Sequence, residues 1–288
     1  MIELFVQQIL NGLSMGMAYV LVALGLTLVY GVLHVVNFAQ GEIYMLGGLA
    51  TLVAVTVLGV PYTLAIPLAV VATAAVSYVI DRLAVSPVLA RREGRYTVML
   101  STYAVGLLLF DGVVVTWGSA PQRLPGYEGS LSALDITISV HRLVVLAVGA
   151  TLLAAIWLVL NRTVFGKQLR AVAENAYAAG VVGIPVRRVG SITFIVSGAL
   201  AGLAGALLVP LTLFTPYIGQ NIIVKGFVVV VVGGMGSILG ATVCGLGLGV
   251  LEAVGSAFMS PGINLALIYT LLLVVLLVRP SGLLGLAR

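Results

Sequence analysis

The chain has 288 residues, of which 61% are hydrophobic and only 8% are charged. Soluble domains carry about a quarter charged residues, so this composition excludes an ordinary soluble protein. The net charge of +5 could favour a nucleic-acid partner, but the placement of the basic residues described below argues for a membrane topology signal and against nucleic acid.

The apolar residues form segments of about 18–25 residues, the length that a helix needs to cross a hydrocarbon core of roughly 30 Å. Barrel strands would alternate polar and apolar residues, whereas residues 143–160 and 265–278 are apolar on every face. We therefore predict an all-α polytopic membrane protein with a single transmembrane domain over residues 1–288. Its segments are predicted at 4–29, 39–59, 61–80, 98–117, 143–160, 191–210, 226–252 and 263–279.

The first segment begins without the basic residues of a cleaved signal peptide and is expected to remain in the protein. It contains Gly12-Leu13-Ser14-Met15-Gly16, a match to the G-x-S-x-G pattern of serine hydrolases. That pattern needs a strand before the serine, and a hydrolase would need His34 or His141 at the same depth. The motif instead lies inside an apolar helix, where glycines spaced by four favour close helix packing.

Two interruptions mark the second and seventh segments. Residues 37–48 mix polar side chains with glycines, and Gly233-Gly-Met-Gly-Ser237 interrupts a valine-rich run. Irregular backbone at membrane depth survives only where protein or a water-filled cavity satisfies its polar groups, and such breaks mark transport sites. The candidate pathway or gating residues are Asn37, Phe38, Gln40, Gly41, Glu42, Gly233, Gly234, Met235, Gly236 and Ser237.

Four charged residues fall within or beside the apolar segments, where charge is costly. Glu42 is interpreted either as a pathway residue or as a structural partner that fixes the broken helix. Asp111 is expected to pair with another helix. Lys225 and Glu252 are predicted near opposite ends of one segment, where their side chains reach water.

Most basic residues lie in two gaps between segments. The first gap holds Arg82, Arg91, Arg92 and Arg95, and the second holds Arg162, Lys167, Arg170, Arg187 and Arg188. The positive-inside rule places both gaps in the cytoplasm. Three full spans on either side would then leave both termini outside, which Arg279 and Arg288 argue against. Either the weak signal from these two arginines misleads, or one segment in each half is broken or re-entrant.

The second gap, about 161–190, contains a predicted helix. Residues 167–180 are good helix formers, and Gly183 and Pro185 supply stop signals. Arg170 and Glu174 are four residues apart and can pair across one turn. An apolar face of small residues suits a groove in a partner protein, although a helix that rests on lipid headgroups is the alternative. This face comprises Leu169, Val172, Ala173, Ala176 and Ala179.

The sequence gives no sign of a catalytic, nucleotide or metal site. It contains no G-x-x-x-x-G-K-[ST] motif, and neither histidine has a cysteine or carboxylate at metal-ligand spacing. The lone Cys244 cannot form an intrachain disulfide. We expect no catalytic residues, no metal and no cofactor on this chain.

The 170–189 stretch resembles the coupling loop of ABC-importer permeases, in which a short helix docks into the ATPase. The match consists of Arg170-Ala-Val-Ala-Glu174-Asn-Ala176, Gly183-Ile184 and Arg187-Arg188-Val189. Branched-chain amino acid permeases of that superfamily resemble this chain at residues 11–19, 25–31, 37–42, 233–237 and 279–285. The resemblance implies ATPase coupling through Arg170, Ala171, Glu174, Asn175, Ala178, Gly183 and Ile184.

The resemblance also implies a heteromeric importer in a bacterial or archaeal cytoplasmic membrane. Its partners would be two ATPase subunits, a second related permease subunit and a periplasmic or lipid-anchored binding protein. Branched-chain or other apolar amino acids are the expected solutes, with urea or short amides as the alternative. A secondary transporter driven by an ion gradient is the alternative from another functional class, but it has no need of a docking helix.

The docking role of this helix can be tested by mutation. Charge reversal at Glu174 is expected to uncouple transport without preventing insertion.

Overall fold

A computed structural model describes residues 2–91, 94–133, 136–279 and 281–285. Arg92 and Arg288, two of the basic residues that support the predicted orientation, lie outside these ranges. The helices are α1 (Ile2–Leu33), α2 (Gln40–Thr56), α3 (Tyr62–Ile80), α4 (Ser86–Ala90), α5 (Gly94–Trp117), α6 (Val140–Arg162), α7 (Val164–Glu174), α8 (Ala176–Val181), α9 (Val186–Leu208), α10 (Ile218–Gly233), α11 (Ile238–Phe258) and α12 (Pro261–Val278).

Three short elements complete the described structure. A π-helical turn, Asp81–Val85, joins α3 to α4, and a 3-10 turn, Val209–Leu211, follows α9. Strands β1 (Ser130–Ala133) and β2 (Ile136–Ser139) form an antiparallel hairpin in which Ser130 lies opposite Ser139.

Seven helical spans among the described residues are long and apolar enough to cross a membrane. Helices α2 and α10, which follow the first interruption and precede the second, are shorter, with 17 and 16 residues. At 1.5 Å per residue they extend about 26 and 24 Å, less than a hydrocarbon core of roughly 30 Å. The predicted all-α polytopic fold is therefore confirmed, with a shortened helix beside each of the two predicted interruptions.

Helix α1 lies at the centre of the bundle and packs against α9, α10 and α11. Glycines bring α1 and α11 into backbone contact. A Cβ added at Gly12 would lie 2.5 Å from the Cα of Val250, and one at Gly249 would lie 2.4 Å from the carbonyl oxygen of Gly12. The predicted use of glycine for close helix packing in lipid is confirmed at this contact.

The two basic gaps lie at one end of the bundle, hereafter the basic side. Ser191, near the start of α9, donates a 2.5 Å hydrogen bond to Asp81, which follows α3. The N-terminal part of α1 lies at the opposite end, where the Gln7 amide donates to the carbonyl of Thr137 in the hairpin at 3.4 Å. This arrangement agrees with the predicted parity of the first three spans.

The predicted single segment 226–252 is wrong, because the chain reverses inside it. Helix α10 ends at Gly233, and α11 begins at Ile238 and runs back antiparallel to it. Gly234 and Gly236 adopt φ of 100° and 90°, a left-handed conformation that favours glycine. Ser237 then caps α11 by accepting a 3.1 Å hydrogen bond from the amide of Gly240.

The extra reversal returns residues 281–285 to the basic side. The amides of Leu283 and Leu284 donate to the carbonyls of Val232 and Gly233 at 2.8 and 3.2 Å. Three full spans after the second basic gap would have left the C-terminal segment outside, and the structure does not have that arrangement. Of the two explanations given above, a broken segment in the second half accounts for the position of Arg279.

Candidate functional site

The first interruption is a buried hydrogen-bonded turn between α1 and α2. Asn37 accepts from the amide of Ala39 and donates from Nδ2 to Oε1 of Gln40, each at 3.1 Å. Gln40 donates in turn to the carbonyl of Ser197 on α9, and the Ser197 hydroxyl donates back to Gln40, again at 3.1 Å. These bonds satisfy backbone and amide groups within the bundle, as irregular backbone at membrane depth requires.

The irregular stretch is shorter than predicted. Residues 37–48 were expected to be irregular, but helix α2 already begins at Gln40. The turn comprises residues 34–39, and His34 starts it with a left-handed φ of 53°. Gly41, Gly47 and Gly48 are helical, and they allow neighbouring helices to approach closely. A Cβ at Gly47, for example, would lie 2.2 Å from the carbonyl oxygen of Gly202 on α9.

Glu42 lies where the first turns of two helices meet. It belongs to the first turn of α2, and its Oε2 lies 2.8 Å from the point that a Cβ at Gly219 would occupy on the first turn of α10. Gly41 and Gly219 put the two backbones in contact. Helix N-termini carry partial positive charge, so this position favours a carboxylate. Glu42 is 7% exposed, and its Oε2 has no hydrogen-bond partner among the described residues.

Aromatic side chains flank the turn. The Phe38 ring lies 5.5 Å from that of Phe227 on α10 and 6.3 Å from that of Tyr103 on α5. Its backbone amide donates to the Thr102 hydroxyl at 3.2 Å. Phe38 keeps 39% exposure, so it forms the accessible edge of the otherwise buried site around Glu42.

The second interruption, Gly233–Ser237, lies elsewhere in the bundle. Gly219 and Gly233 are separated by about 21 Å along α10, at 1.5 Å per residue. Gly236 borders the same cavity as Arg170 of α7, and Gly234 packs against Gly282. The structure therefore brings residues 37–42 together with α10, but it places residues 233–237 on the basic side beside the predicted coupling segment.

Lys225 and Glu252 form a partly buried ion pair between two helices, so the prediction that they lie at opposite ends of one helix is wrong. Lys225 Nζ lies 2.5 Å from Glu252 Oε1, with side chains 20% and 21% exposed. The Tyr19 hydroxyl donates to Glu252 Oε2 at 2.8 Å and accepts from Lys225 at 3.1 Å. Asn264 donates to the Glu252 carbonyl at 2.8 Å, so the cluster joins α1, α10, α11 and α12.

Asp111 is exposed on α5. The expected bond to another helix is not found among the described residues.

The predicted coupling helix is two helices that meet at Asn175. This residue has extended φ and ψ of −155° and 100°, and its side chain caps α8 by accepting from the amide of Ala178. The predicted pair between Arg170 and Glu174 is also absent from the described bonds. Arg170 instead donates to the main-chain oxygen of Leu160 at the end of α6.

The apolar face assigned to a partner is largely an internal contact. Leu169, Val172 and Ala179 are 8%, 1% and 3% exposed and belong to the core of this chain. The periodicity identified an amphipathic segment correctly, but its apolar side covers α1 and α9. The predicted partner face was therefore wrong at these three positions.

A different apolar surface is exposed on the basic side. Tyr177, Val181 and Val182 are 84%, 73% and 76% exposed around α8, and we name them the α8 tip. Of the residues assigned to coupling, Arg170, Glu174, Asn175, Ala178 and Gly183 are exposed, while Ala171 and Ile184 are partly buried. Sequence reasoning missed the α8 tip because Tyr177 and the two valines fall outside the small-residue pattern.

The hydrolase alternative has no supporting geometry. The Ser14 hydroxyl donates to the carbonyl of Leu10 in its own helix at 3.0 Å. His141 Nε2 lies 2.8 Å from the carbonyl oxygen of Leu207. Ser14 and His141 share no bond among the described residues, and about 30 Å of helix separates Ser14 from His34 at 1.5 Å per residue.

Comparisons with known proteins agree over almost the full chain. The family model for the permease component of branched-chain amino acid transport systems matches residues 8–276. High-affinity branched-chain amino acid transport system permease proteins are 33% identical over 98% of this chain and 96% of their own length; they include LivH of Salmonella typhimurium and BraD of Pseudomonas aeruginosa. A probable LivH of Methanocaldococcus jannaschii is 34% identical over 92% of this chain and 88% of its own. No solved structure matches this chain.

Proposed function

We propose that this chain, which belongs to the family of branched-chain amino acid transport permease components, is the membrane-spanning subunit of an ATP-driven importer of branched-chain amino acids. The α8 tip carries the proposal, because an exposed apolar surface on the basic side, next to the segment that resembles a coupling loop, supports a protein partner there. Similar proteins are named for high-affinity transport of these amino acids.

The partners follow from this role. Two ATPase subunits would bind on the basic side, one at the α8 tip and the other at a second, related permease subunit. A periplasmic or lipid-anchored binding protein would deliver the amino acid at the opposite side. The chain itself would need no cofactor, since nucleotide would be bound and hydrolysed by the ATPases. The chain would lie in the inner membrane of a bacterium or archaeon, with its basic side in the cytoplasm.

The solute would pass the site around Glu42. Its free Oε2 supplies an acceptor for the ammonium group of the amino acid, and the Phe38 ring supplies apolar surface for the side chain. A single carboxylate in an otherwise apolar environment forms a weak site from which the solute can leave. Translocation would require α2 and α10 to separate at Gly41 and Gly219, where their backbones now touch.

Proteoliposomes with the ATPase and binding-protein subunits test the proposal. Tyr177→Glu places a charge in the apolar α8 tip, and loss of an interface aromatic costs about 2 kcal/mol, or about 30-fold in affinity. We expect ATP-dependent leucine uptake to fall accordingly. Tyr177→Phe should preserve uptake, as should Tyr96→Glu, a control on α5 at an 86% exposed tyrosine. Normal uptake by correctly inserted Tyr177→Glu would refute the coupling assignment.

The remaining alternatives are tested in the same vesicles. A 100-fold excess of urea or acetamide should leave leucine uptake unchanged, and an ionophore should have no effect while ATP is supplied. Uptake of urea, or loss of uptake when the ion gradient collapses, would favour the corresponding rival.

A further inference from the structure

A cavity of about 650 Å³ opens between α1, α6, α7 and α11 near the basic side. Its walls are mainly apolar, with Leu153 and Trp157 from α6 and Leu239 from α11. At one end it reaches Arg170 and Asn161. The cavity thus has a long apolar part and a short polar end.

The apolar part is open on the outer surface of this chain, at the depth of two membrane helices. Trp157 and Leu239 are 58% and 71% exposed on two helices that qualify as membrane spans. Tryptophan is enriched where a membrane helix meets the headgroup region. The groove between α6 and α11 is therefore open to lipid chains along its length.

The polar end is rich in positive charge, and Glu174, the nearest acidic residue along α7, makes no described ion pair with Arg170. Residues 160–170 include Arg162, Lys167 and Arg170 but no acidic residue. The described bond from Arg170 to Leu160 uses one of five guanidinium N–H donors. Thr27 lines the same cavity, is 2% exposed and has an Oγ1 without a partner in the described structure.

We propose that this cavity binds one anionic phospholipid from the leaflet on the basic side. Arg170 holds the phosphate, with Arg162 and Lys167 adding to the local positive potential. An acyl chain lies between α6 and α11 against Trp157 and Leu239. Guanidinium groups bind phosphate oxygens in a bidentate manner, and basic pockets between membrane helices on the cytoplasmic side select anionic lipids.

Trp157 provides a direct probe, because the chain has two tryptophans. The Trp117→Phe variant, reconstituted in vesicles, reports only Trp157 fluorescence. Brominated phosphatidylglycerol should reach half-maximal quenching at about a fivefold smaller mole fraction than brominated phosphatidylcholine. Arg170→Gln in the same background should remove this preference. Quenching does not depend on transport, so its outcome is separate from that of the proposed function.

Two matched variants locate the lipid. Ala154 lines the cavity, and Ala150 is exposed one turn earlier on α6. Ala154→Phe should abolish the headgroup preference, whereas Ala150→Phe should retain it. In a Trp157→Phe background, quenching of the remaining Trp117, at the far end of α5, should not change when Arg170→Gln is added.

Equal quenching by both lipids in the Trp117→Phe protein would overturn the proposal. Protection of Trp157 from both lipids in the complete transporter would also overturn it, since that result would show that another protein chain covers the cavity.

Discussion

Replacing Lys225 by methionine removes one member of the partly buried ion pair while keeping a long apolar side chain. Glu252 would then retain the hydroxyl of Tyr19 as its donor, but its charge would lack a counterion within the bundle. Removing one partner of a fully buried pair costs about 3–5 kcal/mol. The two side chains are about one-fifth exposed, and solvent screening reduces the cost, so we expect about 2–3 kcal/mol.

Removing the whole polar cluster should be far less harmful. In the combination Tyr19→Phe, Lys225→Met and Glu252→Leu, no charge or hydroxyl of the triad remains unpaired. Apolar replacement of a complete buried ion pair is often neutral or stabilising. We therefore expect the free energy of unfolding of the triple variant to lie within about 1 kcal/mol of that of the natural chain.

Denaturant unfolding in mixed micelles, followed by circular dichroism, measures these free energies. Lys167→Met on the exposed side of α7 is the control, and surface substitutions change stability by about 0.5 kcal/mol or less. If Lys225→Met changes the free energy of unfolding no more than this control does, the ion pair does not contribute to stability. If the triple variant loses as much as its single changes summed, the three groups do not act as a cluster.

Three further predictions concern the two interruptions. The Cβ of Gly219→Ala would lie 2.6 Å from the carbonyl oxygen of Gly41, so overpacking should lower the free energy of unfolding by about 1–3 kcal/mol. Gly112 has open space around it, so Gly112→Ala should not lower the free energy of unfolding in the same assay. Glu42→Gln keeps the side-chain shape but removes the charge, so leucine uptake should fall at unchanged protein level, and normal uptake would exclude a pathway role for the carboxylate. Deletion of residues 281–288 removes the two described backbone hydrogen bonds that reach the end of α10, each worth about 1 kcal/mol. Hydrogen exchange at the end of α10 should therefore accelerate about 10–30-fold, and unchanged exchange would show that these residues do not stabilise it.

Segment length and apolarity were sufficient to predict most of the helices, because a membrane helix must satisfy its own backbone. The same signal could not resolve the run 226–252, since both arms of a membrane hairpin are equally apolar. The available clue was local: Gly234 and Gly236 permit left-handed backbone, and Ser237 can cap the next helix. These residues predicted an interruption, but a reversal of direction depends on packing against α1.

Contacts between distant residues account for the other errors. Lys225 and Glu252 are 27 residues apart, which would separate them by about 40 Å in one continuous helix. The hairpin brings their charged atoms to 2.5 Å. Likewise, the pattern at Leu169 and Val172 identifies an apolar face but not the surface it covers, and here that surface belongs to the same chain.

The core contacts of α7 and α8 give the proposed coupling a defined route. Helix α7 contacts α9, and Leu169 and Thr193 line one small cavity between them. Helix α9 continues through Ser197, which bonds Gln40, to Gly202, which contacts Gly47 of α2. One helix therefore touches both the segment beside the α8 tip and the buried turn that precedes Glu42. Packed interiors transmit displacement because they compress little. On the proposed function, movement imposed at the α8 tip reaches the solute site through α9, while the ion pair at Lys225 holds α10 against α1 and α11.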